Sequence, residues 1–117
     1  MMLQTTCELV KCVLPQAIFI HGLPKESGLY FSIESIKPSN LSTCEVLINL
    51  YLCALEPPAD NLLAKQDFLL EQCLNAPAFL EGRFYFLGAN ELPNIGFFSC
   101  FRAQLILKLF IKATNET

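Results

Sequence analysis

The chain predicts an α+β domain: a mainly antiparallel sheet of about five strands with two helices packed on one face, in the order α-β-β-β-α-β-β. Two long segments, Thr43–Leu55 and Phe97–Lys112, alternate between a dry side and a mixed side with a period of two, as half-covered strands do. Only two segments carry apolar residues at helical spacing, too few for the crossovers of a doubly wound parallel sheet. The 117 residues suit one domain with one core, and no linker, repeat or low-complexity tract divides them.

Residues Met2 to Leu14 read as a helix, with Leu3, Cys7, Val10 and Leu14 as its stripe and Pro15 as its end. Ala17 to Leu23 reads as a first strand. Gly22, Pro24 and Gly28 mark a turn, and Leu29 to Lys37 reads as a second strand, with Leu29, Phe31 and Ile33 on one face. An antiparallel hairpin is the simplest way to join these two strands. Pro38, Ser39 and Asn40 read as the next turn. In the third strand, Thr43 to Leu55, the even positions Cys44, Val46, Ile48, Leu50, Leu52 and Ala54 form a dry face. Glu45, Asn49 and Tyr51 stand on the other.

Glu56, Pro57 and Pro58 stop that strand, and Asp60 reads as the N-cap of a helix that runs to about Asn75. Leu62, Leu63, Leu69, Leu70, Cys73 and Leu74 fall in one arc of this helix, and Phe68 lies alone on the polar side. Arg83 to Leu87 reads as a short fourth strand, and Gly88 to Gly96 as a turn-rich link of about nine residues, long for a hairpin. In the final strand Phe101, Ala103, Leu105, Leu107, Leu109 and Ile111 share one face. Arg102, Gln104, Ile106, Lys108, Phe110 and Lys112 share the other. This strand mirrors the third one, so the two belong in one sheet with a common core side. Residues 113–117 read as a loose tail.

Composition narrows the function. The chain is 53% hydrophobic and 16% charged, more apolar than one small core consumes, which points to surfaces covered between subunits. The longest uncharged apolar run, Val46 to Leu55, is half the roughly 20 residues a membrane helix needs. No basic stretch precedes an apolar one at the N-terminus, so neither a leader nor an anchor is expected. The net charge is −3 and the eight basic residues are scattered, which argues against direct nucleic-acid recognition. The six cysteines lie within apolar periodic segments, without a CxxC pair and with His21 as the single histidine, and read as reduced thiols. No metal, cofactor or catalytic residue is predicted. The carboxylates are spread over turns, strand edges and helix faces, without a convergent pair.

Contact residues are the stronger signal. Phe68 on a polar helix side gains little from pointing into water. Ile106 and Phe110 on the mixed face of the last strand, set among Arg102, Gln104 and Lys108, have the makeup of an interface: apolar anchors ringed by polar groups. Asn90, Glu91 and Asn94 are the polar candidates of the Gly88–Gly96 link.

The order of these elements resembles that of the small tail-terminator proteins of long-tailed bacteriophages, also called minor tail or tail-completion proteins. The likeness runs through the opening helix, the strands at AIFIHGL, LYFSIESIK and CEVLINLYLCAL, the helix NLLAKQDFLLEQCL and the closing FYFLGANELPNIGFFSCFRAQLILKLFI. It implies a non-enzymatic virion protein assembled in the host cytoplasm. Such a protein forms a six-membered ring with copies of itself at the head-proximal end of the tail, on the tail tube protein, and joins head-to-tail connector proteins. Each subunit of a closed ring needs two different patches, for which Phe68 and the mixed face of the last strand are candidates. Two other classes fit the residues. One is a small-molecule-binding or enzymatic domain with an apolar pocket between helix and sheet and a concave site near His21. The other is an adaptor that binds a single partner.

Overall fold

A computed structural model describes residues 2–40, 42–55, 62–95 and 98–110. Helix α1 spans Met2–Val13. Strand β1 is Ile18–Phe19, β2 is Gly28–Asn40 and β3 is Thr43–Leu55. Helix α2, Leu62–Leu74, crosses to β4, Gly82–Ile95, and β5, Phe98–Phe110, closes the order. The five strands form one sheet, β1-β2-β3-β5-β4, antiparallel except at the β1–β2 edge.

The pairing of β3 with β5 organises the molecule. Thirteen consecutive register pairs join them, from Thr43 opposite Phe110 to Leu55 opposite Phe98. Val46 therefore faces Leu107, Ile48 faces Leu105 and Leu50 faces Ala103, all buried. The two dry faces read from the sequence become one apolar layer. Phe31 of β2 and Phe84 of β4 extend it sideways, and both helices cover it: Leu9, Val10 and Val13 from α1, Leu69 and Cys73 from α2. Long strands draw the molecule out to 54 × 25 × 20 Å.

Several local expectations are corrected. The first two strands do not form a hairpin: Ile18 pairs with Tyr30 and Phe19 with Phe31 in parallel. After Phe19 the chain swings across the opposite face of the sheet, turns at Gly22 (φ 82°) and returns at Gly28 (φ 144°). Gly28 sits so close to the Tyr30 ring that a Cβ would lie 3.1 Å from its hydroxyl. So short a connection between parallel strands works because β1 keeps only two residues.

Pro38, Ser39 and Asn40 belong to β2 rather than to a turn. Among the described residues β2 has no neighbour on its outer side here, since β1 pairs with Tyr30 and Phe31, and an outer edge accommodates a proline. The link from Gly88 to Gly96 is also strand. β4 runs on to Ile95, absorbing Gly88 (φ 156°) in a bulge at Leu87 and carrying Pro93 on the sheet's outer edge.

Each helix buries part of its predicted stripe. In α1 the covered face is Thr6, Leu9, Val10 and Val13, while Leu3 is exposed. Val10 and Leu14 of the predicted stripe are buried and Cys7 packs against the core, with Leu9 and Val13 beside them on the same face. In α2 only Leu69 and Cys73 are buried, and Leu63 and Leu74 face water. The Asp60 cap, Ile111, Lys112 and the tail lie outside the described residues.

Candidate contact surface

Both helices cover one side of the sheet, and among the described residues the other side is crossed by residues 20–23 and is otherwise open. Register places the side chains of this open face in rows. The first row is Tyr30, Tyr51, Arg102 and Asn90, and the second is Ser32, Asn49, Gln104 and Gly88. The third is Ser35, Leu47, Ile106 and Tyr85, and the fourth Lys37, Glu45, Lys108 and Arg83.

The second row is a hydrogen-bonded ladder. Asn49, 4% exposed, donates from Nδ2 to Glu34 Oε1 at 2.8 Å and accepts at Oδ1 from Gln104 Nε2 at 2.9 Å. Glu34 reaches this row because it is the extra residue of a bulge between Ile33 and Ser35. Both polar ends of a buried amide are thereby satisfied, and three strands are tied together. In the first row Arg102 Nη2 donates to Asn90 Oδ1 at 3.3 Å. The Arg102 Nε is buried and finds no partner among the described residues.

The third row is apolar. Leu47 and Ile106 are half-buried, and Tyr85 is exposed. Phe110, at the far end of β5, is 54% exposed. The charged fourth row separates Phe110 from the other three, so the patch is an apolar strip crossed by Lys37, Glu45, Lys108 and Arg83.

The structure therefore gathers Arg102, Gln104, Ile106, Lys108, Phe110 and Asn90 on one face. Glu91 faces the helix side, opposite Phe101, and is exposed. Asn94 lies in β4 with its side chain outside the described residues. Phe68, 51% exposed on α2, is on the helix side. It borders an apolar cleft of about 640 Å³ lined by Leu29, Leu52, Leu62 and Leu69, with Gln16 and Lys65 at hand. Leu63, Leu74 and Leu80 are 76%, 64% and 93% exposed and add to the uncovered apolar surface of α2 and the segment after it.

Sequence reading missed Tyr85, Leu47 and the exposed leucines of α2. A period-two reading from Arg83 would have found Tyr85, whereas Leu63 and Leu74 are recognised only once Leu69 and Cys73 are seen to fill the core contact.

His21 borders a smaller hollow of about 290 Å³ on the open face, with Ser32, Glu34, Asn49 and Tyr51. Its ring lies edge-on to Phe19, centroids 4.9 Å apart, and among the described residues no hydrogen bond orients it. The Glu34 carboxylate beside it is taken up by Asn49. Among the described residues no group of three His, Cys, Asp or Glu side chains converges to hold a metal ion, and no helix is long and apolar enough to cross a membrane.

The cysteines are mostly core thiols. Burial pushes the Cys7 and Cys44 thiols up, and that of Cys73 to about 12. Cys53 and Cys100 differ: they are register partners in β3 and β5, and Cys53 Sγ donates to Cys100 Sγ at 3.2 Å.

In comparison with known proteins, the chain matches no family model and no curated protein.

Proposed function

We propose that this protein is a structural assembly subunit that closes into a ring with copies of itself, as phage tail terminators do, and caps a tubular polymer of a second protein. The observation that carries the reading is uncovered apolar surface on both sides of one thin sheet. On the open face stand Leu47, Tyr85, Ile106 and Phe110, with charges between them. On the helix face stand Leu63, Phe68, Leu74 and Leu80. A lone small domain gains nothing from either patch, whereas a head-to-tail contact uses two different surfaces per subunit and joins one to the other. The amide ladder supports this reading too. It stiffens the open face without filling it, as suits a surface that meets a partner as a rigid body. In the phage setting the tube is the tail tube, the far side of the ring meets the head-to-tail connector, and the protein resides in the tail or neck of the virion.

Native mass spectrometry and negative-stain microscopy of the purified protein, alone and with tail tubes, test the reading. It predicts rings of six times the subunit mass, or monomers that become rings on tube ends. A species that stays monomeric with tubes present and leaves their ends bare would contradict it.

The cleft beside Phe68 favours a second reading, a domain that binds one apolar small molecule between α2 and the sheet. It predicts a monomer whose melting temperature rises with ligand concentration.

A further inference from the structure

We propose that Cys53 and Cys100 are a latent cross-strand disulfide, a site of reversible oxidation that staples β3 to β5. Geometry carries the inference. The two residues are direct partners in an antiparallel ladder, where partner Cα atoms stand about 4.5 or 5.5 Å apart. Both spacings lie inside the roughly 4.4–6.8 Å window of natural disulfides. The sulfurs are already 3.2 Å apart and point at each other. Both side chains are buried, packed with Tyr51 and flanked by Ile20, Tyr30 and Leu92, so neither has room to turn away. The remaining cysteines are placed differently. Cys7 and Cys12 lie on α1, Cys44 directs its thiol to Met2 Sδ at 3.1 Å, and Cys73 is buried in the helix–sheet core.

The surroundings set the chemistry. The hydrogen bond from Cys53 and the nearby Arg102 charge pull the Cys100 thiol down, while that same bond and burial push Cys53 up. Cys100 is thus the attacking sulfur. With a low-molecular-weight disulfide of the glutathione class as oxidant, the Cys100 thiolate attacks one of its sulfurs and expels one small thiolate. Cys53 then loses its proton to solvent and attacks Cys100 Sγ, expelling the second. One disulfide is broken and one made, two electrons pass from the protein thiols to the oxidant, and the two protons end on the released thiols. Among the described residues the Ala54–Ser99 and Leu55–Phe98 pairs follow in the ladder, and opening of these last pairs would bring the oxidant to the thiols.

The test is to refold the reduced full chain in a glutathione redox buffer, so that burial does not limit the rate, cap the remaining thiols and map the peptides. The expected product has lost two hydrogens, carries a linked pair containing Cys53 and Cys100, keeps four free thiols and melts at a higher temperature than its dithiothreitol-treated form. Cys100→Ser should abolish the mass loss and the melting shift together, while Cys12→Ser should keep both. Six capped thiols, a disulfide between other cysteines, or a persistent glutathione adduct on Cys100 would overturn the proposal. The wild-type map decides even where Cys100→Ser does not fold.

Discussion

Leu107 and Ile106 are neighbours on β5 with opposite duties, and truncating each in turn measures the two faces of the sheet. Leu107 is fully buried. Its register partners are Val46 and Phe84, and its Cδ1 would lie 3.3 Å from a Cβ built on Gly82. Leu107→Ala removes three carbons, a transfer loss of about 2.4 kcal/mol at ~0.8 kcal/mol each. Both flanking strands are held by their own ladders, so the wall collapses little and a cavity remains, which brings the expected cost to about 3–4.5 kcal/mol. Ile106 is half-buried between Leu47 and Tyr85 on the open face. Ile106→Ala removes as many carbons but re-exposes far less surface, and should cost a dilute monomer about 1 kcal/mol. Its larger effect should fall on association, where the same side chain becomes buried. Urea unfolding followed by far-UV circular dichroism at low protein concentration gives the two stabilities. Equal losses, or a Leu107 loss under ~1 kcal/mol, would refute the assignment of faces.

Other substitutions probe the α2 face, the amide ladder and the core thiol. Phe68→Asp should leave the melting temperature of the monomer within a few degrees while suppressing assembly. A stability loss that tracks the assembly loss would make Phe68 a core residue. Asn49→Asp sets a second carboxyl against Glu34, so one of the pair has a folded pKa raised above its unfolded value of about 4. The penalty is absent below that pH and grows as pH rises, and a melting deficit equal at pH 4 and pH 7 would sink the ladder. The Cys73 thiol follows the same sign: its ordinary value is 9.0 and burial raises it to about 12. Its contribution is whole below pH 9 and lost as pH climbs toward 12, so Cys73→Val should flatten the fall in stability between pH 8 and 10.5.

The parts of the fold that a period of two could fix were legible in the sequence. Val46, Ile48 and Leu50 needed a dry partner face, Ala103, Leu105 and Leu107 supplied one, and the structure pairs them. Punctuation was the weaker guide. Gly88 and Pro93 read as a loop but sit in β4, because an edge strand tolerates a missing donor and a bulge takes up the glycine. The β1–β2 edge runs parallel because the segment after Phe19 is needed across the open face, where Ile20 packs with Tyr51 and Cys53. That is a tertiary demand which local pattern does not carry.

The contact surface was partly legible for the same reason. Arg102, Gln104, Ile106, Lys108 and Phe110 share a face by parity alone. Asn90 joins them only through the pairing of β4 with β5, and Glu34 only through its bulge. The Cys53–Cys100 contact is of this second kind. The two residues are far apart in sequence and meet only through the register of β3 with β5, which also sets Asn49 opposite Gln104.

The proposed ring needs copies of this chain to meet through the open sheet face and the α2 face. Mass determination across a concentration series, for the wild type and for Ile106→Asp, tests it most directly. The wild type should grow with concentration, or on tube ends, to a closed ring, and the variant should fold with the same circular dichroism spectrum yet stay a monomer. A wild type and variant that remain equally monomeric at every concentration, with and without tubes, would contradict it.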